Sequence, residues 1–244
     1  MTLSPAPESR PASISGAPDV APFEPTPSRA DLAREAMVAS QLRTNEVIEP
    51  RLVAALRRLP REQFVSEAQS ELAYVDRPLP LGGGRSINPA LTTARLIADL
   101  DPQPGERVLL VGAATGYAAA LLAALGVRVT AVESDARLVD LGRRATAVHG
   151  AALVDWVQGD LHAPALSDAD YDALLIDGAV ETLPAALTDA LRPGARIALG
   201  WNDRGVTRLA RAVKVEGAPV APVAFAEFEC VALPGFAPAQ GFRF

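Results

Sequence analysis

The run Val108-Leu109-Leu110-Val111-Gly112-Ala113-Ala114-Thr115-Gly116-Tyr117 couples a stretch of strand composition to two glycines that flank a short turn. At the carboxyl edge of an open α/β sheet such a turn lets main-chain N–H groups face a ligand. Gly112 permits the sharp turn after the strand, Ala113 and Ala114 are small enough for close approach, and Gly116 opens a helix at Tyr117. This surface favours an adenosine group. A dinucleotide fingerprint would want glycine where Ala114 and Tyr117 stand, and the Gly-Lys-Ser/Thr of a phosphate loop is absent. Glu133 ends the next strand, roughly twenty residues past Gly112, where a carboxylate can accept from both ribose hydroxyls, with Ser134 beside it. Asp160, followed by Leu161, is placed after the third strand to take the adenine amino group, or to cap its own loop. Asp177 closes the fourth, lining the reacting centre or capping a helix.

Those positions require alternating strands and helices. Apolar runs at 107–111, 127–132, 153–158, 173–177 and 196–199 predict strands, with helices from Tyr117, from Asp135, at 184–191 and near 206–213 between and after them. Short buried strands alternating with helices make a mostly parallel sheet covered on both faces, a Rossmann-like α/β fold. Residues 220–233, with Phe225, Phe228 and Val231 and no helical stripe, predict one or two closing strands. Upstream, Ser28-x-x-Asp31 starts a helical run to about Leu42, and Pro50 opens a second with Leu52, Ala55, Leu56 and Leu59 at helical spacing. A short helical stretch lies at 67–73. Together these form an N-terminal helical cap on the domain of residues 31–244. Residues 76–84, ending in Gly82-Gly83-Gly84, are expected to be loop, serving as a binding loop or a connector, and 90–100 a helix.

Composition limits the alternatives. A net charge of -6 and no clustered lysine or arginine argue against a nucleic-acid surface. Cys230 is the only cysteine, so an internal disulfide is impossible and a thiolate zinc site is not expected; His149 and His162, the only histidines, stand at no ligand spacing, and no metal is expected. The apolar stretch at 118–127 is too short to span a bilayer, and the start of the chain lacks a signal-peptide pattern. Residues 1–30 carry seven of the 21 prolines and no apolar periodicity, and are expected to be a disordered arm. The expectation is a cytoplasmic monomer without nucleic-acid or membrane partners.

Several segments, in order, resemble the protein-L-isoaspartate O-methyltransferase family. They are Met37-Val38-Ala39-Ser40-Gln41-Leu42, Leu59-Pro60-Arg61-Glu62-Gln63-Phe64-Val65, Ala73-Tyr74-Val75-Asp76-Arg77-Pro78-Leu79-Pro80-Leu81-Gly82, the turn from Gly112 to Tyr117, Gly159-Asp160, and Leu191-Arg192-Pro193-Gly194-Ala195-Arg196. The proline-rich segment is the most specific of them. In that family the next loop usually reads Gly-x-Gly-Gln-Thr-Ile-Ser-x-Pro; here Arg85 stands for the glutamine, Ser86 for the threonine, and Asn88 for the serine regarded as the active-site residue. Leu110 replaces an acidic residue, and Ala114 and Leu161 replace glycines.

The resemblance implies S-adenosylmethionine as cofactor and the carboxylate of L-isoaspartyl residues in damaged proteins as acceptor. It also implies that Gly112, Ala113, Ala114, Gly116, Tyr117, Glu133, Ser134, Asp160, Leu161 and Asp177 line the cofactor, and that Arg85, Ser86 and Asn88 position the acceptor, Asn88 by donating an amide N–H. The altered loop leaves two other readings open: a carboxyl methyltransferase with a different acceptor, and a catalytically silent cofactor-binding module.

Overall fold

The computed structural model describes residues 26–149, 152–167 and 169–236, so the expectation for residues 1–25 lies outside the described part. The Ser28 hydroxyl accepts from the Asp31 N–H at 3.1 Å while the Asp31 carboxylate accepts from the Ser28 N–H at 3.0 Å. This reciprocal cap satisfies donors that a helix start leaves open, and α1 (Arg29–Met37) follows, widening into a π turn at Val38–Leu42. Helix α2 (Pro50–Arg58) begins with proline, whose missing N–H is no loss there. Two 3-10 turns, Arg61–Phe64 and Glu67–Leu72, complete the cap.

Residues 79–87 differ from the expected loop. They form an antiparallel hairpin of β1 (Leu79–Gly82) and β2 (Arg85–Ile87), with Gly82 opposite Arg85. Gly83 and Gly84, at φ 59° and 73°, make its two-residue turn. Positive φ at both positions matches the right-handed strand twist, and glycine adopts it without strain. Helix α3 (Ala90–Leu100) then runs as expected.

The central sheet contains β3 (Arg107–Val111), β4 (Arg128–Glu133), β5 (Val154–Gln158), β6 (Tyr171–Val180), β7 (Leu191–Asp203), β8 (Val206–Val213) and β9 (Val223–Ala226), ordered β5-β4-β3-β6-β7-β8-β9. Strands β3 to β7 are parallel; β8 is antiparallel to β7, and β9 to β8. The helix expected near 206–213 is therefore strand β8, turned back by Arg204 (φ 54°) and Gly205 (φ 88°). Helices α4 (Tyr117–Ala124), α5 (Ala136–Val148) and α6 (Ala185–Asp189) connect the parallel strands. Alternating strand residues feed two cores. Val108, Leu110, Ala131 and Leu175 pack with α3, α4 and the cap, while Leu109, Val111, Val132 and Ile176 pack with Leu187 of α6, Leu233 and Phe236. After β3 the chain moves outward to β4 and β5, then returns across β3 to β6, which places a topological switch point between the ends of β3 and β6.

Candidate active site at the switch point

Backbone bonds join the strand ends. The N–H groups of Gly112 and Ala113 donate to the Val132 carbonyl at 3.0 and 3.1 Å, and Gly159 N–H donates to the Glu133 carbonyl at 3.1 Å. Gly112 (φ 77°), Ala114 (φ 49°) and Gly116 (φ 92°) all take the left-handed region, so the turn is tight and Gly116 caps α4. A close neighbour adds to the demand for glycine: a Cβ on Gly112 would lie 2.8 Å from Leu233.

Glu133 is fully buried at the end of β4. Its Oε2 accepts from Ala114 N–H at 2.8 Å and its Oε1 from the N–H groups of Ser134 and Asp135 at 2.9 and 3.2 Å. Arg85, reaching across from β2, forks over both oxygens: Nη2 to Oε2 at 2.7 Å and Nε to Oε1 at 3.3 Å. Burial pushes the Glu133 carboxyl upward, but the Arg85 hydrogen bond and charge, with the Asp135 and Ala114 N–H groups, hold it below the usual glutamate range. The site therefore keeps a carboxylate aimed at two parallel donors. A vicinal diol presents the same pattern, so the donor chemistry fits a ribose.

A second knot surrounds Asp177. The register between β6 and β7 slips between Ile176 and Ala179, so Asp177 lies in a bulge, which explains why a strand-interior residue can turn its carboxylate into the site. Its Oδ1 accepts from Asn88 Nδ2 at 2.8 Å and Thr93 Oγ1 at 2.9 Å. Burial raises its pKa against these bonds and the charges of Arg61 and Arg85. Asn88 Oδ1 accepts from Val231 N–H at 2.8 Å, so the amide expected to meet an acceptor is committed at both ends to the protein. Ser86 sits half-buried on β2 on the opposite side from Arg85 and Ile87.

The remaining expected site residues make other contacts. The Tyr117 ring turns into the cap, edge-on to Phe64 at 5.5 Å and 4.6 Å from the Arg61 guanidinium. Asp160 is largely exposed and accepts from His162 N–H at 2.9 Å, a local loop bond, while Leu161 is buried. Ser134 adds its hydroxyl to Glu133 at 3.3 Å. The residues not singled out from sequence are Arg61, Thr93, Val231 and Leu233. Arg61 is fully buried, donates to the Ala73 carbonyl at 2.8 Å and to the Asn88 carbonyl, and so fixes the site loop to the cap. Its place in Leu59-Pro60-Arg61-Glu62 was the only signal. A cleft of 480 Å³ opens beside Thr115, bounded by Phe64, Leu81, Leu138, Leu141 and Arg137.

A parallel sheet with a small-residue turn after β3, a buried carboxylate ending β4 and a helical cap defines a Rossmann-like, class I methyltransferase fold. Residues 33–229 match the family described as Protein-L-isoaspartate(D-aspartate) O-methyltransferase (PCMT), and the chain belongs to that family. Among curated relatives, a protein-L-isoaspartate O-methyltransferase of Methylorubrum extorquens is 40% identical over 77% of this chain and 82% of its own length. One from Methanoculleus marisnigri is 35% identical over 75% and 84%. A solved Plasmodium falciparum structure, titled a putative protein-L-isoaspartate O-methyltransferase in complex with S-adenosyl-L-homocysteine, shares the fold at TM-score 0.70 and 15% identity, covering 85% of this chain and 99% of that one. Another protein-L-isoaspartate O-methyltransferase structure aligns at TM-score 0.73 and 21% identity over 83% of this chain and 66% of that one.

Proposed function

We propose that this chain transfers the methyl group of S-adenosylmethionine to the carboxylate of L-isoaspartyl residues in damaged proteins, the first step of their repair. The observation that carries the reading is the two-oxygen acceptor of Glu133 facing the β3 turn, in a chain of this family. The 112–116 turn, Glu133, Ser134, Asp160 and Leu161 would hold the cofactor, with Asp177 lining the reacting end. When bound, the cofactor supplies an electrophilic methyl group on a sulfonium.

The acceptor needs little activation. A carboxylate with a pKa near ~4 is already ionised at neutral pH, so no general base is required. The chain's own residues have to align the attacking oxygen and exclude water, effects worth ~7 to 11 kcal/mol where the geometry is good. Arg61 and Arg85 stand at this end of the sheet against the carboxylates of Asp177 and Glu133, and Asp177, Asn88 and Thr93 make a hydrogen-bonded floor. Among the described residues no helix is long and apolar enough to cross a membrane. We place the enzyme in the cytoplasm as a monomer that does not use nucleic acid, consistent with its acidic charge and single buried thiol.

Radiolabelled methyl transfer to an isoaspartyl peptide and its normal aspartyl twin tests the reading. Transfer confined to the isoaspartyl form is expected. Transfer to some other carboxylate alone would support the second reading, a changed acceptor, which the extra charge of Arg85 in the loop favours.

A further inference from the structure

Six donors crowd Glu133. Three are main-chain N–H groups, from Ala114, Ser134 and Asp135, fixed by the turn and the strand end; two are Nε and Nη2 of Arg85, and the sixth is the Ser134 hydroxyl. A carboxylate offers about four lone-pair sites, so no acceptor capacity is left for two further hydroxyls. Of the two side chains that touch the carboxylate, only Arg85 reaches both oxygens; the Ser134 hydroxyl touches Oε1 alone. The guanidinium and a ribose diol are thus alternatives at one carboxylate.

A displaced guanidinium stays charged, and Arg85 is only 5% exposed, so it must meet another anion or move to water. It projects from β2 three residues before Asn88, whose amide is bound to Asp177, at the end of the sheet where the acceptor would lie. A planar fork of donors suits a second carboxylate as well as it suits Glu133. Resting on the reading of Glu133 given above, we propose that Arg85 is the competitor a ribose displaces from Glu133 and the group that then binds the acceptor carboxylate, so that cofactor precedes acceptor.

Calorimetry of S-adenosylhomocysteine binding to the parent, Arg85→Gln and Glu133→Gln proteins, followed by titration of an isoaspartyl peptide into each loaded protein, tests this. Arg85→Gln is expected to bind S-adenosylhomocysteine more tightly, on the order of tenfold to a hundredfold, and to bind the peptide at least about tenfold more weakly. Glu133→Gln is expected to lose S-adenosylhomocysteine. If Arg85→Gln binds it no more tightly while Glu133→Gln loses it, the competition is overturned and the Glu133 reading stands. If Glu133→Gln binds as the parent does, the Glu133 reading itself fails. Unchanged peptide affinity in loaded Arg85→Gln overturns the acceptor half. Should Arg85→Gln fold poorly, Arg85→Lys replaces it: the charge remains but cannot fork over both oxygens, so S-adenosylhomocysteine should again bind more tightly than to the parent.

Discussion

The side-chain amide of Asn88 donates to the Asp177 carboxylate at 2.8 Å while its carbonyl accepts from Val231 N–H at 2.8 Å, so one residue ties the loop after β2 to the β6 bulge and the C-terminal segment. A serine hydroxyl is shorter and has one proton, and cannot serve both partners from the same backbone position. Asn88→Ser should therefore lower stability by about 1 to 3 kcal/mol, the range for a buried polar group left unpaired, with no gain in turnover. Urea denaturation and initial rates on the same preparations check both halves, and a faster variant of undiminished stability would show that the brace is dispensable.

Glu133 and Asp177 should depend on pH with opposite signs. The Glu133 carboxyl is held below the ordinary glutamate value, so its folded state binds a proton less readily than the unfolded chain. Its contribution is present above about 4.3 and is lost as pH falls through the folded value. Asp177 is raised by burial, so its contribution is present below about 3.9 and is lost as pH rises through the folded value. Asp177→Asn, fixed in the uncharged form, should accordingly gain stability relative to the parent between pH 4 and 7, the gain growing as pH rises. Glu133→Gln should lose stability over the same interval. Urea midpoints across that pH series measure both, and parallel curves for the two variants would contradict the assignment.

How much of this was legible in the sequence depends on which interaction set each element. Strands β3 to β5 and helices α1 and α2 were readable because local apolar patterning and helix-start residues agree with the tertiary fold. The hairpin at 79–87 and strand β8 were missed because their turns rest on positive φ at two successive residues. Gly83-Gly84 reads as simple flexibility, and Arg204-Gly205 carries an arginine where the usual signal is asparagine or aspartate. The place of Glu133 at the end of β4, against the β3 turn, was legible because spacing after Gly112 is a local property. The partners of Arg85, Asn88 and Arg61 were not, since separations of 48, 89 and 27 residues in their bonds leave no mark in the pattern.

The β7–β8 turn gives a direct test of that explanation. Arg204 holds φ 54° at the first turn position, where a long side chain is strained and asparagine is tolerated. Arg204→Asn should raise stability by about 0.5 to 1 kcal/mol, seen as a small rise in melting temperature with unchanged S-adenosylhomocysteine affinity, since the turn lies outside the site. Destabilisation would mean that the weak ion pair of Arg204 with Asp203, at 3.8 Å, matters more than the backbone.

Leu233 offers the sharpest packing test, because one side chain fills the space against two glycines at the switch point. A Cβ on Gly178 would come within 2.4 Å of Leu233, and one on Gly112 within 2.8 Å. Gly178 does not carry a left-handed φ, so Gly178→Ala suffers only the collision, whereas Gly112 at φ 77° would be strained in any case. Overpacking of this kind costs about 1 to 3 kcal/mol, and Leu233→Ala alone about 2 to 5 kcal/mol. In the double variant the new methyl enters the space the leucine leaves, so its loss should fall below the sum of the two by at least about 1 kcal/mol. For Gly112→Ala the same partner should rescue less, because removing Leu233 relieves the contact and leaves the backbone strain. Chemical denaturation of the two cycles reads this difference, and equal coupling in both would show that the φ at Gly112 adds nothing to its need for glycine.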